Sequence, residues 1–281
     1  MTRIASSLTR SWSISSRCIK RKPHMNRANR LTGKVAVVTG STGGLGAGIA
    51  NRLAAEGASV VISGRRSEAG EQVASELRQQ GGQAVFIRAD VSAEADCVAL
   101  ISTTLEQFGR LDILVNNAAI TPEESPGQQS AELWDQVFDT NLRGAFLCCR
   151  EAIPAMRAQG GGSLINIGST VPFRGHMDRL AYGSSKGALY FMTKMMARDL
   201  VRDHILVNWI SVGWVATPGE VALRDQLSGD GLAYLAHIGR SAPLGRLELV
   251  EEIAAGVAYL VSDEASHITG CDLNISGGLW I

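Results

Sequence analysis

The sequence from residue 35 to residue 46 reads VAVVTGSTGGLG, and it decides the fold. Its first four residues form an apolar run typical of a strand that is buried in a parallel sheet. A glycine-rich turn follows, then a helical pattern over 47–56 that a glycine ends. A second apolar run, SVVIS, occupies 59–63. The order strand, glycine turn, helix and strand predicts a βαβ unit.

A glycine turn between a strand and a helix is suited to binding a pyrophosphate. Glycines let the backbone approach the phosphates, and the helix N-terminus offers free N–H groups and the positive end of its dipole. Glycine turns without ligands also occur, but here the flanking strand and helix stand where this chemistry needs them. We therefore expect a dinucleotide cofactor at residues of this turn: Gly40, Ser41, Thr42, Gly44, Leu45 and Gly46.

Apolar runs and helical patterns alternate along the rest of the chain. Further strands are predicted at 84–88, 113–115, 163–167, 206–210 and 272–275, and further helices at 68–80, 93–107, 131–158, 182–202 and 250–260. Seven strands that alternate with helices predict an α/β fold, a single doubly wound Rossmann domain with a seven-stranded parallel sheet and helices on both faces. The longest irregular part, 213–246, is expected to act as a lid over the site.

Residues 1–30 differ from the rest in composition. They are rich in Ser and Arg and contain no Asp or Glu. This composition fits a mitochondrial transit peptide, but also a disordered tail or an extension upstream of a start at Met25. We expect a basic, disordered N-terminal extension over 1–30 and a catalytic domain over 31–281. A cytoplasmic protein is expected, with a mitochondrial location as the alternative.

Charge and cysteine content exclude several classes of protein. The formal net charge is zero, which gives no argument for nucleic acid or membrane binding, and no apolar run is long enough to span a bilayer. The five cysteines are odd in number and lack a C-x-x-C motif, which indicates a reducing compartment without a disulfide framework. The histidines show no metal-ligand spacing, so no metal site is expected. The expected partner is a small molecule.

Tyr182 and Lys186 are four residues apart, so on a helix they share one face. A nearby ammonium favours the phenolate, which makes Tyr182 a candidate acid/base for a hydroxyl or carbonyl substrate. Such a pair on its own is more often structural. Ser169 follows the fifth predicted strand, and the chain between it and Tyr182 is long enough to fold the two together. By itself, Ser169 would be interpreted as a turn or helix cap.

The end of the second strand bears on the choice of cofactor. An acidic residue about 20 positions after the glycine turn would bind the ribose 2′-hydroxyl of NAD. Residues 63–66 read SGRR instead, with no carboxylate. Arg65 is expected to hold a 2′-phosphate by charge-assisted hydrogen bonds. The alternative is that one or both arginines are solvated surface charges, which is expected of Arg66 before Arg65. We therefore expect NADP(H), with NAD(H) as the alternative.

Taken together, these features resemble the short-chain dehydrogenase/reductase family over residues 31–281. TGSTGGLG at 39–46 is similar to the family's T-G-x-x-x-G-x-G turn, and NNAA at 116–119 is similar to N-N-A-G. Ser169, Tyr182 and Lys186 match S-x12-Y-x3-K. One such motif would be weak evidence, but the ordered set with the correct spacing is highly specific.

The resemblance implies a role for each member of a catalytic set. Tyr182 would be the acid/base, and Lys186 would lower its pKa and bind the nicotinamide ribose. Ser169 would hold the substrate oxygen. Asn141, in the context T-N-L-R-G, would hold a water in a proton relay to the lysine.

The resemblance also implies cofactor contacts and an assembly. Asp90 and Val91 would line the adenine, and Thr217 would lie beside the carboxamide. Asn117, Ala118 and Val215 would complete the cofactor site together with Tyr182 and Lys186. A homotetramer or homodimer would pair through the helices that hold Asn141 and Tyr182.

The implied function is an NADP(H)-dependent oxidoreductase that interconverts a carbonyl and a secondary alcohol. One alternative is an NAD-dependent alcohol or sugar dehydrogenase with the same site. The other is a non-catalytic dinucleotide-binding or scaffold protein, which would not need all four catalytic residues.

The nicotinamide side of the site departs from the family pattern. Val212-Gly213 replaces the usual Pro-Gly, and Trp209 and Trp214 are large for their positions. We therefore expect this loop to have a shape of its own. Apolar residues of the lid are expected either to line the substrate pocket or to pack against another subunit; they are Trp214, Leu223, Leu227, Leu232 and Tyr234. Arg174 and His176 are expected to be surface-loop residues.

Overall fold

The computed structural model describes residues 29–280. The predicted N-terminal extension therefore lies outside the described residues, except for its last two. Of these, Arg30 belongs to the folded unit, which corrects the predicted boundary. Its guanidinium pairs with the carboxylate of Glu56 and donates a 2.9 Å hydrogen bond to Glu264.

Seven parallel strands form one sheet in the order β3-β2-β1-β4-β5-β6-β7. They are β1 Val35–Thr39, β2 Ser59–Gly64, β3 Ala84–Arg88, β4 Ile113–Asn116, β5 Gly162–Ile167, β6 Ile205–Val212 and β7 Asp272–Ile275. The order reverses at β1, where Val37 pairs with Val61 of β2 on one side and with Leu114 of β4 on the other. In such sheets the ligand site lies in the crevice beyond the carboxyl ends of the strands at the reversal.

Ten α-helices surround the sheet over the described range. They are α1 Gly44–Ala55, α2 Ser67–Gln79, α3 Glu94–Phe108, α4 Ala131–Phe138, α5 Gly144–Ala158, α6 Val171–Arg174, α7 Leu180–Leu200, α8 Pro218–Ser228, α9 Gly231–Ser241 and α10 Val250–Leu260. Side chains of β1 alternate between two core layers. Ala36 and Val38 pack with residues of α1 and α10, and Val37 packs with residues of α3, α5 and α7. The predicted doubly wound α/β fold is confirmed.

The helix predicted over 131–158 is interrupted. A π-helical turn at Asp139–Arg143 separates α4 from α5, and the Gly144 N–H donates to the carbonyl of Asp139. Two contacts accompany this turn. The Asn141 side chain bonds to the backbone of Ile120, and a Cβ on Gly144 would lie 2.7 Å from the carbonyl oxygen of Val91. Such turns are frequent at functional sites.

The pattern predicted an irregular segment over 213–246, but this segment contains two helices, α8 and α9. Both helices begin at capping residues. Thr217 Oγ1 accepts from the Glu220 N–H at 3.2 Å, and Asp230 Oδ1 accepts from the Ala233 N–H at 2.9 Å. Pro218 at the first helical position is preorganised for the helix. Each cap was therefore available as a signal in the sequence.

None of the helices in the described part of the chain is long and apolar enough to cross a membrane.

Candidate active site

A cavity of about 550 Å³ opens at the carboxyl ends of the strands. Its walls include residues that follow β1 through β6, so the fold brings together parts of the chain that are far apart in sequence. Most of the predicted site residues lie on its walls: Gly40, Thr42, Leu45, Gly46, Arg65, Asp90, Val91, Asn117, Ala118, Ser169, Tyr182, Lys186, Val215 and Thr217.

The glycine turn packs tightly against the segment after β4. A Cβ on Gly40 would lie 2.8 Å from the Ala118 Cα, and one on Gly46 would lie 2.5 Å from Asn117 Nδ2. Asn117 Nδ2 donates to the carbonyls of Thr39 and Gly40 at 2.9 and 3.1 Å. Side chains at either glycine would break this contact, so the turn requires glycine for its shape. Gly44 lies beside the cavity, 3.5 Å from Thr217 when a Cβ is built on it.

Ser41 supports the turn and is not among the residues that line the cavity. It is fully buried. Its hydroxyl donates to the Val38 carbonyl at 2.6 Å and accepts from the Ser63 N–H at 2.9 Å. Its own N–H donates to the Ser63 carbonyl. With its polar groups engaged in this way, Ser41 joins the ends of β1 and β2.

Both arginines after β2 line the cavity, including Arg66, which was expected from the sequence to be a solvated surface charge. Arg66 reaches back over the glycine turn and donates to Thr42 Oγ1 at 3.0 Å. Arg65 is more open, with a side chain that is 66% exposed, and its NH1 lies 3.7 Å from Asp90 Oδ2. Two cations therefore flank the end of the cavity beside the glycine turn. Sequence spacing did not separate them, because neighbours in a turn point in directions that only the fold determines.

Asp90 is held in its ionised form by its own turn. Burial opposes ionisation, but hydrogen bonds from the hydroxyl and N–H of Ser92 outweigh it and lower the pKa of Asp90. Val91 lies beside it and is 7% exposed. This part of the wall thus offers one carboxylate next to an apolar surface.

Ser169, Tyr182 and Lys186 meet at the opposite end of the cavity. The Tyr182 phenol lies beside the Ser169 hydroxyl, and both side chains are largely buried. Lys186 lies one turn further along α7, and its Nζ is 6.0 Å from the Tyr182 ring centroid. The short helix α6 and the loop after it bring Ser169 back to α7. The sequence prediction that these three side chains converge agrees with this geometry.

The pKa of Tyr182 is raised. Burial of the phenol is the largest cause, and the nearby Ser169 hydroxyl and the charge of Arg179 only partly offset it. Burial also lowers the pKa of Lys186 to about 8. The sequence pattern placed a charge beside the phenol, but it did not show that both groups lose contact with water.

Asn141 is buried behind the cavity and its side chain is fully used. Oδ1 accepts from the Ile120 N–H at 2.8 Å, and Nδ2 donates to the Ile120 carbonyl at 3.0 Å and to Ser185 Oγ at 3.2 Å. Asn141 thereby ties the π-helical turn to the segment after β4 and to α7. The neighbouring Thr140 lines the cavity in its place.

These residues fit a nicotinamide dinucleotide. The glycine turn leaves backbone, without side chains, facing one part of the cavity, and the N-terminus of α1 lies directly behind it. Arg65 and Arg66 lie at that end, and the Tyr182 hydroxyl lies at the other. Both ends of the dinucleotide would therefore lie beside groups that can bind them.

Comparison with known proteins agrees with this site. A family model described as enoyl-(acyl carrier protein) reductase matches residues 40–280. The chain belongs to the short-chain dehydrogenase/reductase family. As in that family, it is an oxidoreductase that acts on CH–OH and C=O groups, so the predictions of family and enzyme class are confirmed.

Individual relatives cover nearly the whole described chain. A 3-oxoacyl-[acyl-carrier-protein] reductase FabG of Staphylococcus aureus is 36% identical over 88% of this chain and 98% of its own. A cyclopentanol dehydrogenase of a Comamonas species is 37% identical over 89% of this chain and 98% of its own. The crystal structure of levodione reductase superposes with a TM-score of 0.84 at 32% identity, over 88% of this chain and 98% of its own.

Four charged residues on the substrate side of this dehydrogenase/reductase site were missed by sequence reasoning. Glu123, from the loop after β4, accepts hydrogen bonds from Arg179 at the start of α7 and from Arg224 of α8. Arg224 also donates to Glu220 at 2.8 Å. These partners are far apart in the sequence, and no local spacing relates them.

The nicotinamide-side loop of this family member has a carboxyl group against it. Glu248 is 6% exposed, and its Oε1 would be 2.4 Å from a Cβ on Gly213. Burial raises the pKa of Glu248 to about 7, and the nearby Gly213 N–H offsets only part of this effect. Its Oε2 has no hydrogen-bond partner among the described residues. The loop that departs from the Pro-Gly pattern is thus packed on an ionisable group.

The two tryptophans that are large for their positions in the family pattern, Trp209 and Trp214, lie in different surroundings. Trp209 is fully buried against Gly168, whose absent side chain makes room for the indole. Trp214 lines the cavity together with Leu223. Leu227 and Leu232 are 56% and 68% exposed, so the expected apolar lining holds for only part of the lid. Arg174 and His176 are exposed at the cavity rim.

Proposed function

We propose that the protein is an NADP(H)-dependent oxidoreductase that interconverts a ketone and a secondary alcohol, with Tyr182 as the acid/base. The observation that carries the proposal is that Ser169, Tyr182 and Lys186 line the same cavity as the glycine turn. When bound, the nicotinamide supplies or accepts the hydride. The chain's own residues handle the proton and the substrate oxygen.

In the reductive direction, Ser169 and Tyr182 hold the carbonyl oxygen by hydrogen bonds, which stabilise the negative charge that develops on it. Tyr182 then gives its proton to that oxygen. The raised pKa of Tyr182 keeps the phenol protonated at neutral pH, which suits a proton donor. In the oxidative direction the phenolate is needed, so alkaline pH favours that reaction.

Lys186 and Asn141 support this chemistry from behind the cavity. Lys186 is proposed to hold the nicotinamide ribose, and its ammonium is anchored on the Ile167 carbonyl at 2.8 Å. A proton relay through Asn141 would have to use its backbone carbonyl, since its side-chain amide already bonds to Ile120 and Ser185. Asn141 therefore positions the helix that carries Tyr182.

A preference for NADP(H) rests on the two arginines beside the glycine turn. Arg66 is held on Thr42, and Arg65 extends beside Asp90. Residues 62–66 contain no carboxylate that would bind a ribose 2′-hydroxyl and repel a 2′-phosphate. NAD(H) at the same site is the rival, and Asp90 is the carboxylate on which such a preference would rest.

A homotetramer or homodimer is proposed on the apolar face of α5 and α7. Phe146, Phe191 and Met195 are 42%, 65% and 52% exposed there. An exposed patch of large apolar side chains is typical of an interface. The family resemblance places the subunit contact on these same two helices.

We propose a cytoplasmic location. The four cysteines of the described residues are all free, including the neighbouring buried thiols of Cys97 and Cys148. The alternative is mitochondrial import directed by residues 1–30. Fluorescent fusions of the full chain and of a chain beginning at Met25 distinguish the two, since only import through the basic segment makes their locations differ.

The function is tested by following NADPH absorbance with a panel of carbonyl compounds. The panel includes 3-oxoacyl thioesters and cyclic ketones, because relatives are named for substrates of these two kinds. Tyr182→Phe is expected to abolish turnover while NADPH binding, measured by fluorescence, stays within about threefold. Turnover retained by the variant would remove Tyr182 from the acid/base role. Absence of turnover by the wild type across the panel with both cofactors would contradict the proposed function.

A further inference from the structure

Four interacting charged side chains, Glu123, Arg179, Glu220 and Arg224, form what we term the Glu123 cluster, and two of them, Arg179 and Glu220, line the cavity. Arg179 Nε donates to Glu123 Oε1 at 2.9 Å, and Arg224 donates to both oxygens of Glu123 at 2.6 and 2.9 Å. The two guanidinium carbons lie 5.2 and 5.0 Å from the Trp214 ring centroid. The cluster thus joins the loop after β4 to α7 and α8.

Because these charged side chains are buried, their electrostatic interactions with neighbouring groups are strong. Arg179 and Arg224 are only 8% and 3% exposed. Burial opposes ionisation of Glu123, but the hydrogen bonds from Arg224 and Arg179 outweigh it and lower its pKa to about 2. Charges that are shielded from water interact over several ångströms without full screening.

Arg179 is the member of the cluster that acts on Tyr182. It precedes Tyr182 by three residues, its carbonyl accepts from the Gly183 N–H at 2.8 Å, and its guanidinium carbon lies 5.8 Å from the Tyr182 ring centroid. Lys186 Nζ is at almost the same distance, 6.0 Å. Two cations therefore flank the phenol.

The two cations differ in how well they keep their charge. Burial lowers the pKa of Lys186 to about 8, below the alkaline range in which the buried phenol itself titrates. An arginine stays protonated throughout that range. Glu220 opposes ionisation of Tyr182, and the shared carboxylate of Glu123 offsets part of the Arg179 charge. Arg179 therefore keeps its positive charge when the phenol ionises.

We propose that Arg179 is a positioning residue that stabilises the Tyr182 phenolate as a permanent cation, and that Glu123 limits this effect by sharing its charge. The inference rests on the proposed acid/base role of Tyr182. It names a second source of positive charge beside the Tyr–Lys pair, supplied from the substrate side of the site.

The test is the pH profile of kcat/KM for alcohol oxidation, whose acid limb reports ionisation of Tyr182. Arg179→Met should move this limb to higher pH by about one unit, since an adjacent cation changes a pKa by that much. Arg179→Lys should restore most of the shift, because it keeps the charge although it loses the two-nitrogen contact with Glu123. Arg198→Met is the matched control, an exposed arginine near the other end of α7, and its limb should not move.

If Arg179→Met folds and its acid limb does not move, the proposal is overturned. Equal shifts for Arg179→Met and Arg179→Lys would also overturn it, because the effect would then come from the shape of the side chain and not from its charge. Glu123→Gln decides the question if Arg179→Met does not fold. The amide can still accept from Arg179 but no longer offsets its charge, so the limb should move to lower pH. A limb that stays or rises in Glu123→Gln contradicts the proposal.

A second readout separates this proposal from the proposed function. The chain has four tyrosines, so phenolate absorbance of Tyr182 is obtained by subtracting the titration of Tyr182→Phe. Arg179→Met should move this midpoint upward, whether or not the substrate is known. If Tyr182→Phe keeps full turnover, the proposed function fails. If Tyr182→Phe is inactive and neither the limb nor the midpoint responds at Arg179, the inference about Arg179 fails alone.

Discussion

Lys186 donates a 2.8 Å hydrogen bond from Nζ to the carbonyl of Ile167, the last residue of β5. Ser169 follows two residues later in the chain, so a single contact links α7, which carries Tyr182, to the strand that leads to Ser169. Lys186 is 2% exposed, and the carbonyl is its hydrogen-bond acceptor among the described residues. The lysine is therefore a structural link as well as a charged group.

The buried ammonium of Lys186 should cost stability that its replacement recovers. Its pKa falls from 10.5 to about 8 on folding, so this group's contribution to stability is full above 10.5 and is lost as pH falls through 8. Lys186→Met should therefore be more stable than wild type at pH 7, by at most roughly 3 kcal/mol before the lost hydrogen bond is subtracted. Urea unfolding at several pH values measures this, and a difference that does not shrink toward pH 10.5 would contradict it. Turnover by the variant should be lost.

Glu248 should make stability depend on pH with the opposite sign. Burial raises its pKa from 4.5 to about 7, so its contribution is full below 4.5 and is lost as pH rises through 7. Glu248→Gln should be more stable than wild type above pH 7, by at most roughly 3 kcal/mol, and nearly equal to it at pH 4.5. Thermal unfolding across this range is the measurement. Glu251→Gln, an exposed residue of α10, is the matched control and should show no such pattern.

Gly46→Ala should disrupt the cofactor turn. The new Cβ would lie 2.5 Å from both Asn117 Nδ2 and the Gly40 carbonyl oxygen, so the bond that shapes the turn must break. We expect NADPH affinity to fall at least about tenfold in a fluorescence titration. Gly127→Ala, where a Cβ meets nothing within 4 Å, is the control. An unchanged Kd for Gly46→Ala would show that the turn does not bind the cofactor.

Cofactor choice should depend on Arg66 as much as on Arg65. Each arginine is expected to contribute a charge-assisted hydrogen bond, so Arg66→Ala and Arg65→Ala should each raise KM for NADPH about tenfold. The KM for NADH should change little. Arg78→Ala, a cation of α2 on Glu71, serves as the control. Equal or better use of NADH by the wild type would contradict the NADP(H) assignment.

The assembly should be sensitive to a charge on α7. Phe191 is 65% exposed, and Phe191→Glu would place a carboxylate in the proposed subunit contact. Light scattering after size exclusion should show the wild type as a tetramer or dimer and the variant as a smaller species. Leu249→Glu, with 54% exposure just before α10, should leave the mass unchanged. A monomeric wild type would rule out the proposed assembly.

Local patterns were enough for the parts of the fold whose cause is local. The apolar runs of the seven strands, the glycine turn and the Tyr182–Lys186 spacing were all predicted from the sequence, and the structure agrees. The start of α8 also has a local cause, because Thr217 and Pro218 form a helix-start signal, although the sequence pattern predicted an irregular segment there. In each of these cases the interacting groups are neighbours along the chain.

Other features depend on contacts between distant segments, and the sequence did not show them. The π-helical turn accompanies the bonds from Asn141 to Ile120 and Ser185, and Arg66 lies on Thr42 because β1 and β2 are adjacent. No spacing rule relates Glu123 to Arg224, or Glu248 to Gly213.

The sequence by itself therefore determined the family and the α/β architecture, and it predicted Tyr182 as the acid/base, since all of these follow from periodicity and motif spacing. Only the tertiary structure decided their electrostatics. A pKa depends on how much water and which charges surround a group, and both are set when the chain packs. This is why Tyr182 and Lys186 were found from their spacing, whereas the raised pKa of the phenol, the lowered pKa of the amine and the nearby Arg179 appeared only in the folded protein.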